Sequence, residues 1–183
     1  MDIIGVDYSI TSPAICVGKA RDSYSRLRLF GMSDVKKRIG TFCGNIFIEE
    51  KLSDDLFHTD IEKYEFISEE VMRHVKRRNT LVVIEGYSMA STGKVFNLAE
   101  NVGVLKYRLH KAGVDYIVPS PKTVKKFATG SGNADKYDMV NAFNDASGWD
   151  IRAEFQDEGK NIKAPITDVV DAYWMFRYGA ASS

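Results

Sequence analysis

The chain has 183 residues, 44 % of them hydrophobic and 27 % charged, and its 25 basic and 25 acidic residues give a formal net charge of zero. That length makes a single domain over 1–183, with one sizeable core, the expectation, and the charge balance excludes a protein that holds nucleic acid by overall positive charge. No apolar run nears the roughly 18–20 residues of a membrane span, no secretory signal pattern opens the chain, and Cys16 and Cys43 fall in apolar strand-like segments, which reads as reduced core positions of a cytoplasmic protein.

In chain order, 2–7 and 13–18 read as strands joined by the turn YSITSP. YSRLRLFGM (24–32) and TFCGNIFIEE (41–50) follow as two further strand-like runs around a basic KKR loop, so the first third predicts a three- or four-stranded antiparallel meander. The period then changes. Ile61, Tyr64, Ile67, Val71 and Val75 recur every three or four residues. They predict a helix over 60–78, opened by a capping box of Thr59 and Glu62. A strand at 80–85 leads to a helix at about 94–112, with Leu98, Val102, Leu105 and Leu109 on one face and Gly113 as the stop. VDYIV (114–118) is a short strand, and Ser120-Pro121 opens a short helix as cap and first residue. A glycine loop, ATGSGNA (128–134), precedes a helix over about 135–147; 149–165 is polar and irregular; a last helix runs from near Thr167 to about 178. A meander followed by alternating helices and strands predicts an α/β fold with a mixed sheet and helices on its faces.

Four acids sit where acids are uncomfortable. Asp7 and Glu85 each end an apolar strand, and Asp168 and Asp171 lie in ITDVVDAYWMF, three apart on one face of an apolar helix. Ionised carboxylates in such a setting cost several kcal/mol unless paired or ligated, and hard oxygen donors suit Mg²⁺ or Mn²⁺. The three histidines and two cysteines show no zinc spacing. The residues therefore suggest one or two divalent cations held by Asp7, Glu85, Asp168 and Asp171. Taken singly, each acid reads as well as a solvated strand end, a helix-dipole partner or half of an ion pair.

The order of these acids resembles that of the RuvC-type Holliday junction resolvases, of the RNase H-like (retroviral-integrase) superfamily. PSPKTVKKFATGSGNADKYDMV (119–140) is similar to that family's proline, V-K and G-x-G-x-A-x-K segment. EGYSMASTGKVFNLAENVGVLKYRL (85–109) is similar to the helix that follows its catalytic Glu. The resemblance covers most of the chain and is weakest over 19–55, which is longer than the family's usual hairpin. It implies a mixed five-stranded RNase H-like sheet with helices on both faces, extended by the N-terminal β meander, and a homodimer. It implies two Mg²⁺ or Mn²⁺ ions per site held by Asp7, Glu85, Asp168 and Asp171. It implies DNA-phosphate contact by Lys125 and Lys136, the latter also catalytic, and paired nicking of branched, four-way DNA. Divergent members are often viral or phage-borne, which would place the protein in the cytoplasm of a bacterium or an infected host cell.

Lys122 and Lys126 are further candidate DNA contacts beside the glycine loop. The family's wedge aromatic, three residues after the catalytic Glu, is replaced by Ser88, with Tyr87 the adjacent aromatic. A broader flap- and fork-cutting nuclease of the same fold therefore stays open. An actin-like or sugar-kinase ATPase, whose first strand also ends in Asp, is the remote alternative. Against it, DYSITS lacks the phosphate-loop glycine, and neither GSGNADK nor STGKVF completes a Walker A motif.

Overall fold

The computed structural model describes residues 1–76, 79–86 and 95–183. Among them runs one mixed sheet of seven strands, in the order β4-β5-β3-β2-β1-β6-β7. β1 (Asp2–Asp7), β2 (Ala14–Lys19) and β3 (Arg28–Ser33) form the expected antiparallel run. β6 (Thr80–Ile84) and β7 (Asp115–Ile117) add to it in parallel on the β1 side. Two more strands than the expected five, β4 (Gly40–Phe42) and β5 (Ile46–Glu50), extend the β3 edge.

The antiparallel meander stops at β3. β5 pairs with β3 in parallel, and β4 lies outside it. The cause is a turn inside the run 41–50. Cys43 and Gly44 take φ of 48° and 71°, and the Asn45 N–H donates to the Phe42 carbonyl at 3.2 Å. Two successive left-handed residues close a tight hairpin whose twist suits the flanking strands. One apparent strand thus becomes two: the chain first runs along the outer edge and then returns beside β3 in β3's own direction.

Six helices accompany the sheet among the described residues: α1 (Asp60–Met72), α2 (Val95–Ala112), α3 (Pro121–Thr129), α4 (Lys136–Ser147), the short α5 (Ile151–Glu154) and α6 (Ile166–Ala181). α1 ends earlier than its periodicity predicts. The His74 and Val75 N–H groups bond to carbonyls three residues back, which tightens and closes the last turn. Its cap also differs from the expected box. Thr59 accepts from the Glu62 N–H at 3.2 Å, but the Glu62 carboxylate reaches past Thr59 to the His58 N–H at 2.6 Å. Ile61 is 58 % exposed, so the buried stripe is Tyr64, Ile67 and Val71. Cys16 and Cys43 are both buried and unbridged, as expected. No helix among the described residues is long and apolar enough to cross a membrane.

Side chains alternate across a sheet with period two, and that alternation sorts the core. Ile4, Val6, Val82 and Ile84 pack with α1 and α2, whereas Ile3, Ala14, Cys16 and Val83 pack with α6. By the same parity Asp7 and Glu85 point to the α6 side. α6 lies unusually close to that face. A methyl group at Gly5 would meet the Phe176 nitrogen at 2.2 Å and the Ala172 carbonyl at 2.3 Å. On the helix side, one at Gly179 would meet Val83 at 2.5 Å. Gly5→Ala is therefore expected to destabilise the protein by about 1–3 kcal/mol or more, read as a lowered urea midpoint. Ala14, which pairs with Asp7 on the neighbouring strand, already carries the methyl group that Gly5 must lack.

Candidate active site

β1 and β6 are parallel and in register, with Val6 opposite Ile84, so Asp7 and Glu85 follow side by side at the same end of the sheet. The Glu85 N–H donates to the Val6 carbonyl at 3.1 Å and extends the ladder by one bond. Gly86 then turns away with its N–H on the Pro119 carbonyl at 3.0 Å, at an approach where a methyl group would lie 2.7 Å from that oxygen. From the other side, the first turn and a half of α6 presents Asp168 and Asp171. The expected four acids are thus brought together from three elements.

Asp7 is 8 % exposed, and the other three are partly buried. Burial is the largest influence on each and pushes all four carboxyls above their ordinary range. At Asp7 the charges of Glu85, Asp168 and Asp171 add to it. Glu85 is held back by a hydrogen bond with Asp7 and by the Lys125 ammonium. A hydrogen bond between two carboxyls needs one proton between them. Asp171 is raised to about 8 by burial and by Glu85 and Asp168, against the pull of Lys125 and Lys136.

Asp168 is satisfied by two hydroxyls. Ser12 Oγ donates to Oδ2 at 2.6 Å and Thr167 Oγ1 to Oδ1 at 3.0 Å, and both, with Lys136, moderate the effect of burial. Among the described residues no three His, Cys, Asp or Glu side chains already stand around one point as a metal cage. The contacts explain why. Asp168 is turned to the Ser12 and Thr167 hydroxyls, and Glu85 to Asp7. The donor type and the net negative charge fit a hard divalent cation, although the side chains are not pre-closed on one.

A cavity of about 270 Å³ adjoins the acids, walled by Glu85, Lys125, Asp135, Lys136, Thr167 and Asp171 among others. Lys136 is exposed at the first position of α4, where Asp135 and Asp138 form a reciprocal capping box. Lys125 is partly buried, and its Nζ donates to the Ala134 carbonyl at 2.7 Å. The glycine loop is thereby tied down rather than free: Gly132 packs on the Lys122 backbone, and Thr129 bonds to the Lys125 and Ser131 carbonyls. Lys122 and Lys126 are exposed on α3. Tyr87 and Ser88 lie outside the described residues, as does Lys94.

No protein-family model matches the chain, and no curated protein does either. Solved structures do. Over its whole length the chain superposes on Thermus thermophilus RuvC with a TM-score of 0.60 at 17 % identity, covering 96 % of that protein. It superposes on the same RuvC in complex with a Holliday junction substrate at 0.58 and 15 %, again covering 96 %. For the fowlpox virus resolvase in complex with its substrate Holliday junction DNA the values are 0.53 and 14 %, covering 98 %.

The chain has the RuvC fold.

On this RuvC fold Ser12 is the site residue that sequence reasoning missed. It stands in the YSITSP turn between two expected strands, and a hydroxyl in a serine-rich turn carries no sign of the helix it will meet 156 residues later. With divalent cations chelated, the raised carboxyls set the pH response. Between about pH 4 and about pH 8 an unfolded chain has lost these protons while the native state, Asp171 above all, keeps them. The native state then binds more protons, so stability falls as pH rises through that window. Thermal unfolding in chelator is expected to give a higher Tm at about pH 5 than at about pH 8, and Asp171→Asn to reduce the difference.

Proposed function

We propose that the protein is a divalent-metal-dependent endodeoxyribonuclease that resolves four-way DNA junctions by paired symmetric nicks, with 1–183 as its single nuclease domain. The observation that carries this reading is the meeting of Asp7, Glu85, Asp168 and Asp171 at one sheet end of a fold shared with resolvases solved on Holliday junctions. These four would hold Mg²⁺ or Mn²⁺, two ions per site. Bound there, such ions supply an activated water and relieve charge on the leaving oxygen. Lys136, beside Asp168 and Asp171 and open to solvent, holds a phosphate oxygen as charge builds on it. Lys122 and Lys126 meet the DNA backbone from α3, with the inner Lys125 behind them. Burial of the acids under α6 keeps bulk water from competing for them.

Two symmetric nicks require two sites, and a homodimer provides them. The outer face of α2 supports one. Phe96 is 78 % exposed and Tyr107 64 %, and between them on that face Gly103 has nothing within 4 Å of a would-be side chain. Two aromatic residues flanking a gap suit close approach by a second α2. Ser88, in place of an aromatic residue beside Tyr87, favours a second reading, a nuclease that cuts flaps and forks as readily as junctions.

Incubation of a synthetic four-way junction and a 5′ flap with Mg²⁺, Mn²⁺ or EDTA separates these. Paired nicks in the junction with metal and none in EDTA are expected; no cleavage of any branched DNA sinks the enzyme reading, and faster flap cleavage favours the second. Glu85→Gln is expected to slow nicking by more than about 100-fold while junction binding in a gel-shift assay persists. Tyr107→Glu is expected to shift the protein from dimer to monomer in sedimentation equilibrium.

A further inference from the structure

The segment between α5 and α6 lacks regular structure, yet it delivers the chain to the helix turn that carries Asp168. Its backbone carbonyls are held from outside by three side chains. Arg152 Nη2 donates to the Asp157 carbonyl at 3.0 Å and to that of Gly159 at 2.7 Å. The Tyr137 hydroxyl, one residue from Lys136, donates to the Lys160 carbonyl. Arg38 Nη1 donates to the Ala164 carbonyl at 2.6 Å. The other arm of the Arg38 fork, Nη2, donates to Asp157 Oδ1 at 2.7 Å, with the two side chains 11 % and 6 % exposed. Arg152 Nε approaches Oδ2 of the same carboxylate at 3.4 Å.

Two guanidiniums on one buried carboxylate is an expensive arrangement. Arg38 Nε, Arg152 Nε and Asp157 Oδ2 are buried without a hydrogen-bond partner, and an apolar cluster of equal volume is often as stable. Direction explains what stability does not. A planar guanidinium fixes two acceptors relative to each other. Here they are the Asp157 carboxylate and the carbonyl just before Pro165, the N-cap of α6. Arg38 comes from the turn that leaves β3, at the end of the sheet where Asp7 stands, because β3 runs antiparallel to β2.

We infer that Arg38 is a positioning residue for the carboxyl cluster. Through Asp157 and the Ala164 carbonyl it sets where α6 begins, and so where Asp168 stands against Asp7 and Glu85. This rests on the metal-binding reading of the cluster, and it gives the extension between β3 and β5 a task at the site.

Mn²⁺ binding to the full chain, read from the EPR signal of the free ion, tests it together with amide hydrogen exchange over 157–171. Arg38→Met keeps the apolar stem and removes the fork. It is expected to weaken Mn²⁺ binding about 10–100-fold and to speed exchange at Val169, whose N–H bonds to the Pro165 carbonyl at 3.0 Å, with the circular dichroism of a folded protein. Arg38→Lys, which keeps the charge and one donor, is expected to fall between. A role in stability alone would lower the melting temperature without weakening Mn²⁺ binding well below it. Wild-type affinity in folded Arg38→Met overturns the inference; if that variant does not fold, wild-type affinity in Arg38→Lys overturns it. A wild-type protein that binds no Mn²⁺ overturns the metal reading instead, and unchanged exchange at Val169 in the variants then refutes the positioning claim.

Discussion

The site depends on how closely α6 can lie against β1. Gly5 lets the helix backbone rest on the strand backbone, with the Phe176 nitrogen and Ala172 carbonyl where a side chain would otherwise be. Two positions further along β1, on the same face, comes Asp7. A helix held out by even one methyl group would carry Asp168 and Asp171 away from it. Gly31 continues the contact on β3, where a methyl group would meet Val169 at 3.2 Å. The acids are therefore not brought together by attraction. Backbone packing forces them together, and an apolar helix face that buries Val169, Val170, Tyr173 and Phe176 supplies the driving force.

That enforced proximity costs free energy at neutral pH, and the contacts around it read as compensation. Asp7 and Glu85 interact through a side-chain hydrogen bond, Asp168 takes two hydroxyls, and Lys125 and Lys136 lie within electrostatic reach of Asp171. Each compensating group can be surrendered to a cation. The lysine closest to the interior does double duty, since the Lys125 ammonium also anchors the glycine loop through the Ala134 carbonyl. The loop's position and the local charge balance are thus coupled through one side chain.

Much of this was legible in the sequence because it is local. The acid at the end of each apolar strand, the i, i+3 pair in α6, and the Ser120-Pro121 helix opening all lie within a few residues of what they determine. Period-two alternation even tells which sheet face Asp7 and Glu85 share. What was not legible depends on distant partners. The left-handed Cys43-Gly44 turn splits an apparent strand, and a non-glycine residue at positive φ gives no local warning. Ser12 gains its meaning only from Asp168. The polar run 149–165 looked like a plain loop because two of the three side chains that organise it, Arg38 and Tyr137, come from elsewhere.

The pairing of β1 with α6 also has a consequence in time. Asp7 leaves the ribosome well before Asp171, which emerges only after the seven described strands of the sheet. A nascent chain can assemble the sheet and still lack half of its carboxyls, and loop closure over so long a separation is intrinsically slow. Until α6 docks, the Gly5 face stays uncovered and the acids of β1 and β6 stand apart from those of the helix. The late docking of α6 would thus act as a built-in delay, so that a nascent chain carries no complete site before that helix has emerged.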